Sequence, residues 1–153
     1  MGCLLVVPAG LIEAMEGNET AAHPEFSGDT QISAAKARVV IMQVERELGF
    51  LPVDQETEKL GYDIESRVPG TGKLRFIEVK GRVSAAQTIT VTRNEILFSL
   101  NKPDDFIQAI VEFDGEDHRV HYVRRPFNRK ADFGVTSVNY NFAELLQRAE
   151  VPR

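Results

Sequence analysis

Residues 61–82 read GYDIESRVPGTGKLRFIEVKGR, and the rest of the chain takes its place around them. Tyr62 to Arg67 alternates in character, and Leu74 to Arg82 carries Phe76, Ile77 and Val79 among charged residues, the period-2 signature of half-buried strands. Between them, Pro69-Gly70-Thr71-Gly72 is turn chemistry. With a Val68–Lys73 loop, antiparallel pairing puts Arg67 opposite Leu74, Glu65 opposite Phe76 and Asp63 opposite Glu78. Tyr62, Ile64, Ile77 and Val79 are expected to share the core face. The other face then holds Asp63 beside Glu78, with Lys80 two residues further along the same side. Carboxylates directly across a ladder repel, at a cost of about 0.2–1 kcal/mol, and a bound cation would turn that cost into a site. Mg²⁺ favours one or two carboxylates together with water and phosphate oxygens. A nearby lysine can orient or deprotonate an attacking water, or neutralise growing charge on a phosphate. A one-residue slip in register would separate the pair. The same residues also read as a plain surface ladder, with Asp63 and Glu65 pairing Lys80 and Arg82.

Asp63 followed by Glu78-Val79-Lys80 resembles the D…(D/E)-x-K signature of the PD-(D/E)XK nuclease superfamily, the restriction-endonuclease-like fold. The longer string LGYDIESR…LRFIEVKGR…TVTRNE resembles a narrower group, the protein NO VEIN C-terminal-like domain, over roughly Ser33 to Phe127. Tyr62 stands where the superfamily name has proline. The resemblance implies an α/β fold with an αβββαβ core, a mixed central sheet flanked by helices. It also implies phosphodiester hydrolysis with Mg²⁺ (or Mn²⁺), the metal held by Asp63, Glu78 and the Val79 carbonyl, with Lys80 acting on water or developing charge. Members of the narrower group often stand at the C-terminal end of helicases, so a helicase in cis or in trans is the implied partner, in DNA processing or defence. A nuclease-like fold that has lost catalysis, and serves as a nucleic-acid-binding or protein-docking module, is the alternative.

Upstream, Asp29 or Thr30 is a candidate cap for a helix from about Gln31 to Leu48. Projected at about 100° per residue, Lys36, Gln43 and Glu47 form its wet face, with Ala37, Ile41, Val44 and Leu48 opposite. Glu45 falls near Ile41. A carboxylate there must be paired or serve a ligand, and Arg38 is the candidate partner. The superfamily resemblance gives Glu45 the other role, an acidic residue of the first helix joining the metal site and assisting catalysis.

Downstream of Gly49, Leu51 to Asp54 reads as a short edge piece and Thr88 to Val91 as a strand. Thr92 and Glu95 have capping-box spacing for a helix from Arg93 to about Leu100, stopped by Asn101-Lys102-Pro103. Backbone N–H groups at that strand-to-helix junction favour phosphate, which makes Arg93 a candidate nucleic-acid contact. Phe106 to Phe113 is apolar enough for burial on both faces, and Arg119 to Val123 pairs with it across Asp114-Gly115. Residues 129–140 read as irregular, and Asn141 with Glu144 starts a final short helix over Phe142–Ala149. The expected organisation is an N-terminal docking segment and linker (1–28), a nuclease-like domain (29–127) and a C-terminal extension with a short helix (128–153).

The chain's 153 residues, 42% hydrophobic and 27% charged, fit one globular domain. A single cysteine, Cys3, excludes an internal disulfide and a cysteine-rich zinc site, so a reducing cytoplasm is expected. A net charge of -5 excludes gripping nucleic acid by bulk electrostatics, yet basic residues cluster locally. Arg67, Lys73, Arg75, Lys80, Arg82 and Arg93 are expected around the site, with Arg82 and Arg93 as nucleic-acid contacts, DNA favoured. Arg119, Arg124, Arg125, Arg129 and Lys130 form a second group that reads equally as solvated surface. Cys3 to Val7 is too short to span a bilayer and lacks a basic leader region, so no membrane partner is expected, and Leu4 to Val7 reads as a strand or docking piece. His118 and His121, three apart on a strand, fall on opposite faces and share no metal. A homodimer is compatible with this reading.

Overall fold

A computed structural model describes residues 24–83 and 87–153. The Leu4–Val7 segment, Cys3 and the first part of the Gly17–Asp29 loop lie outside the described residues. The chain divides into Met1–Ser33 and a compact unit, Ala34–Arg153, and that unit holds the sheet and both of its cores.

Helix α1 (Pro24–Glu47) begins earlier than capping by Asp29 or Thr30 predicts. The chain reverses at Gly49 and enters β1 (Leu51–Asp54), β2 (Ile64–Arg67) and β3 (Leu74–Val83), an antiparallel meander. Then come β4 (Thr88–Thr92), helix α2 (Arg93–Asn101), β5 (Phe106–Asp114) and β6 (Asp117–Arg124). Strand β7 (Ser137–Asn141) and helix α3 (Phe142–Leu146) finish the fold.

The main sheet has the order β1-β2-β3-β5-β6, and β4 pairs with β7 in a separate ribbon. Strand β5 lies parallel to β3 and antiparallel to β6. Helix, three antiparallel strands, helix and a strand parallel to the third is the expected αβββαβ core, here with β6 and the β4–β7 ribbon added. Both faces of the sheet are covered. Ala37 and Ile41 of α1 pack on Ile64, Ile77, Val79, Ile107, Ala109 and Tyr122. On the other face Ile96 of α2 packs with Phe106, Ile110, Ile89 and Val91. Burial of both faces is why β5 reads as a continuous apolar run.

The β2–β3 register is as expected where the strands pair: Arg67 opposite Leu74, Glu65 opposite Phe76 and Ile64 opposite Ile77. Tyr62 departs from expectation. It does not share a face with Ile64 and Ile77 but joins Phe76 and Phe98 on the α2 side, with ring centroids 4.9 and 4.8 Å away. The alternation fails because β2 starts only at Ile64. Before it, Gly61 has φ 95°, and a Cβ there would meet Phe98 Cβ at 3.0 Å and the Asn94 carbonyl oxygen at 3.1 Å. Glycine thus lets the chain press against α2 and turn Tyr62 under it.

Residues 129–140, expected to be irregular, contain most of β7, whose five pairs run from Thr88↔Asn141 to Thr92↔Ser137. Phe142 and Leu145 of α3 join the same core as Ile96. The 128–153 stretch therefore belongs to the compact unit. Its strand was obscured because Ser137-Val138-Asn139-Tyr140-Asn141 offers only two apolar residues to a half-exposed ribbon.

Candidate functional site

Strand β3 outlasts β2. Their ladder ends at Ile64↔Ile77, whereas β3 continues to pair with β5 as far as Val83↔Phe113. Among the described residues, one edge of β3 has no strand partner from Glu78 onward. Asp63 fills the first gap: its backbone N–H donates to the Ile77 carbonyl at 2.9 Å, and its Oδ2 accepts the Val79 N–H at 3.0 Å. A residue's N–H and C=O point to the same edge of a strand, so the Val79 carbonyl faces the Asp63 side. The Glu78 carbonyl faces the other way, where it accepts Gln108 Nε2 at 3.1 Å.

Glu78 and Lys80 project toward the α2 face. Lys80 Nζ lies 2.9 Å from Glu78 Oε1 and 3.0 Å from Glu95 Oε2. Glu95 also caps α2: its Oε2 accepts the Thr92 N–H at 3.1 Å while Thr92 Oγ1 accepts the Glu95 N–H at 3.3 Å. The capping box is therefore present as expected, and its acid is shared with the lysine. Sequence reasoning assigned Glu95 the cap alone. The signal that could have found its second role was position, since α2 starts at the first turn after β4 and returns over β3. Tyr62, Asp63, Glu78, Thr92, Asn94 and Glu95 are among the residues that line one cleft of about 270 Å³.

Two carboxylates thus hold one ammonium, with a third, Asp63, on the same cleft. Burial pushes the Glu78 carboxyl well above its usual range, with Asp63 and Glu95 adding to the rise against the opposing pull of Lys80. Asp63 is raised as well, chiefly by burial, despite its bond to the Val79 N–H and the nearby Lys80. For Lys80, burial alone would favour the neutral amine, but Glu78 and then Glu95 outweigh it and hold the pKa above the ordinary lysine value. Lys80 is a fixed cation at neutral pH. The uncompensated acidity is what a divalent ion would neutralise. Among the described residues no three His, Cys, Asp or Glu side chains converge on one point. A hard ion at this edge would therefore rest on Asp63, Glu78, the Val79 carbonyl and water, a donor set that suits Mg²⁺.

Glu45 is not brought to this cleft. It is fully buried on the α1 face, where its Oε1 accepts Arg75 Nη2 at 2.9 Å and the Tyr122 hydroxyl at 2.7 Å. The expected partner, Arg38, instead meets Asp54 at 3.4 Å. Arg75 likewise leaves the basic group expected around the site, because it alternates with Glu78 along β3. Arg82 lies half-buried with its guanidinium 5.9 Å from the Phe142 ring centroid, and burial lowers its pKa. Arg93 is exposed at the start of α2. In the second basic group, Arg124 pairs with Glu150 and Arg125 with Asp104. His121 meets Glu112 at 2.6 Å, which occupies it in the sheet. No described helix is long and apolar enough to cross a membrane.

Comparison with known proteins adds the following. No curated protein matches the chain. Among solved structures, Hjc of Archaeoglobus fulgidus, described as a Holliday junction resolvase from an archaeal hyperthermophile, is similar with a TM-score of 0.47 and 10% identity. The match covers 72% of this chain and 92% of that chain. The family model described as Protein NO VEIN, C-terminal matches residues 34–123, a span that contains Asp63, Glu78, Lys80 and Glu95. That span exceeds half of the 153 residues, and the chain belongs to the family Protein NO VEIN, C-terminal.

Proposed function

We propose that this chain is a metal-dependent nuclease domain that hydrolyses phosphodiester bonds in nucleic acid, with DNA as the favoured polymer. The observation that carries the reading is the open edge of β3. There Asp63 and Glu78 line one cleft, Asp63 accepts the Val79 N–H, and Lys80 is held against Glu78 and Glu95. Bound Mg²⁺ or Mn²⁺ would supply Lewis acidity toward the phosphate and its attacking water. Asp63 is aimed by the Val79 N–H, and Glu78 by its place in the β3–β5 ladder. Lys80, kept protonated by Glu78 and Glu95, is suited to stabilise charge that develops as the water oxygen bonds to phosphorus and the ester oxygen departs. This favours electrostatic stabilisation over proton abstraction for the lysine. Glu45 takes no part in this scheme, since Arg75 and Tyr122 occupy it. Service beside a helicase, in cis or in trans, fits the family.

One observation favours a second reading. Lys80 is clamped by two carboxylates, and a cleft closed on its own ion pair suits a fold retained for binding nucleic acid or protein without hydrolysis. Cleavage of linear and circular DNA with and without Mn²⁺ or Mg²⁺ separates the two. Wild type is expected to cut only with metal. Asp63→Asn and Lys80→Ala should each lose at least about 100-fold, the scale of removing one preorganised electrostatic group. Equal cutting by all three proteins, or none by the wild type, would sink the catalytic reading for this chain.

A further inference from the structure

Phe133 is 98% exposed, whereas every other phenylalanine whose side chain is described is buried or half-buried. A single exposed apolar side chain is ordinary on a protein surface, but three features of its surroundings set this one apart. First, the ring stands on a fixed turn. The Val135 N–H donates to the Asp132 carbonyl at 3.0 Å, and Gly134 has φ 84°, the positive value that the third residue of a type II turn requires. Phe133 takes the second, corner position.

Second, the turn is tied to the edge of the proposed site. The Arg93 N–H donates to the Thr136 carbonyl at 2.8 Å. Thr92, Arg93 and Asn94 face Gly134 to Thr136 across a cleft, and Thr92 and Asn94 also line the cleft over Asp63 and Glu78. Three residues of chain reach at most about 10 Å, so Phe133 stays within that distance of its anchor at Thr136. Third, cations line the clefts on which neighbouring residues of the turn sit. Arg129 and Lys130 line the adjoining cleft together with Asp132. With Arg93 they are exposed, and they enter none of the ion pairs among the described residues.

We propose that the Asp132–Val135 turn is a nucleic-acid contact, in which Phe133 stacks on an unpaired base while Arg93, Arg129 and Lys130 meet the flanking phosphates. An aromatic face accepts any base, because every base has a π-face, and phosphate contacts fix position without reading sequence. The substrate class of the adjoining cleft would then be nucleic acid that offers an unpaired base, without sequence preference at that position. This inference rests on the nuclease reading for its placement, but its test does not need hydrolysis.

The test is equilibrium binding in EDTA of the full chain to labelled single-stranded, forked and blunt duplex oligonucleotides, with 2-aminopurine at the unpaired position of the first two. Wild type should prefer the single-stranded and forked forms and change the 2-aminopurine emission. Phe133→Ala should weaken binding to those forms by roughly tenfold or more, the size of one lost base–aromatic stack, and abolish the emission change. Its effect on the blunt duplex should be under about twofold, and Phe133→Trp should restore both signals. Equal binding of all three forms by wild type and Phe133→Ala would overturn the proposal. So would a self-association of wild type, read by sedimentation, that Phe133→Ala removes while nucleic-acid binding is unchanged. Thermal unfolding of Phe133→Ala should match wild type because the ring packs on nothing. If the DNA cleavage assay fails while this one succeeds, the contact survives and only hydrolysis is lost.

Discussion

The two faces of the main sheet each bury a carboxylate next to a cation, and they balance charge in opposite ways. On the α1 face one acid, Glu45, meets one guanidinium, Arg75, and also accepts the Tyr122 hydroxyl. Arg75 gains a further partner in the Phe50 ring, 4.2 Å from its centroid. On the α2 face two acids, Glu78 and Glu95, hold one ammonium, and a third, Asp63, lines the same cleft. The first cluster has the charge balance of a packing device. The second carries excess negative charge in a partly buried cleft, an arrangement that costs stability unless something cationic enters. Comparing the two separates a buried acid matched by one cation from a group of acids that outnumbers its cation.

The largest effect expected from breaking this comparison lies on the α1 face. Glu45→Ala would strand Arg75, whose side chain is only 10% exposed, and breaking a buried pair from one side costs about 3–5 kcal/mol. Urea unfolding should show that loss, and Glu45→Gln, which keeps an acceptor for Tyr122, should lose less. A double replacement of Glu45 and Arg75 by methionine should recover much of it, since buried pairs are often replaceable by apolar packing. If Glu45→Gln instead left stability intact and removed divalent-ion binding, the two faces would be coupled, and the metal role that the superfamily resemblance gives Glu45 would return.

Next in size is the response of the α2 face to pH and to cations. Asp63 and Glu78 are both raised, mainly by burial, so between the unfolded carboxylate values of about 4 and their raised folded values the native state binds more protons than the unfolded chain. Their contribution to stability is therefore greatest below the unfolded values, and it is lost as pH rises through the folded ones. In metal-free protein, Glu78→Gln should melt higher than wild type at neutral pH, with the gap closing on acidification. Mn²⁺ should raise the wild-type midpoint, through a stabilisation of about 2.7 kcal/mol at a hundredfold excess over its dissociation constant, and should not raise that of Asp63→Asn. A wild-type midpoint indifferent to Mn²⁺ would leave the excess acidity unexplained by metal binding.

The contrast also explains what was legible beforehand. Period-2 patterning and turn residues gave the β2–β3 register from Arg67–Leu74 to Ile64–Ile77, because a short hairpin is a local object. The expected pairing of Asp63 opposite Glu78 lies beyond the end of that ladder, where Asp63 caps the Val79 N–H instead. The capping box at Thr92 and Glu95 was readable because it too is local. Partners distant in sequence were not: Glu45 finds Arg75 thirty residues on and Tyr122 seventy-seven on, and helical projection offered only Arg38 on its own helix. Lys80 and Glu95 meet because α2 folds back across β3, which no spacing encodes. Strand β7 exists by pairing with β4, forty-nine residues away at Thr90–Asn139, and its own pattern is too polar to announce it. Tyr62 changed faces because of a packing constraint at Gly61 that becomes visible only once α2 is in place.

The smallest expected effect falls on the residue that serves both roles at once. Glu95 holds the start of α2 and one side of Lys80 with the same carboxylate oxygen. A capping box accepts glutamine as well as glutamate, so Glu95→Gln should keep the helix start, whereas Glu95→Ala should lose one hydrogen bond to it, about 1 kcal/mol. Urea unfolding should therefore separate the two variants. Calorimetric titration with Mn²⁺ should not. In both, Lys80 has no carboxylate left except Glu78, and the cleft has lost a negative charge, so a cation must compete with the lysine for Glu78 and should bind a few-fold more weakly in each. If the glutamine variant bound Mn²⁺ as tightly as wild type and only the alanine variant bound it poorly, Glu95 would act through the helix cap alone. The lysine's second partner would then be structural, as the Glu45 cluster is.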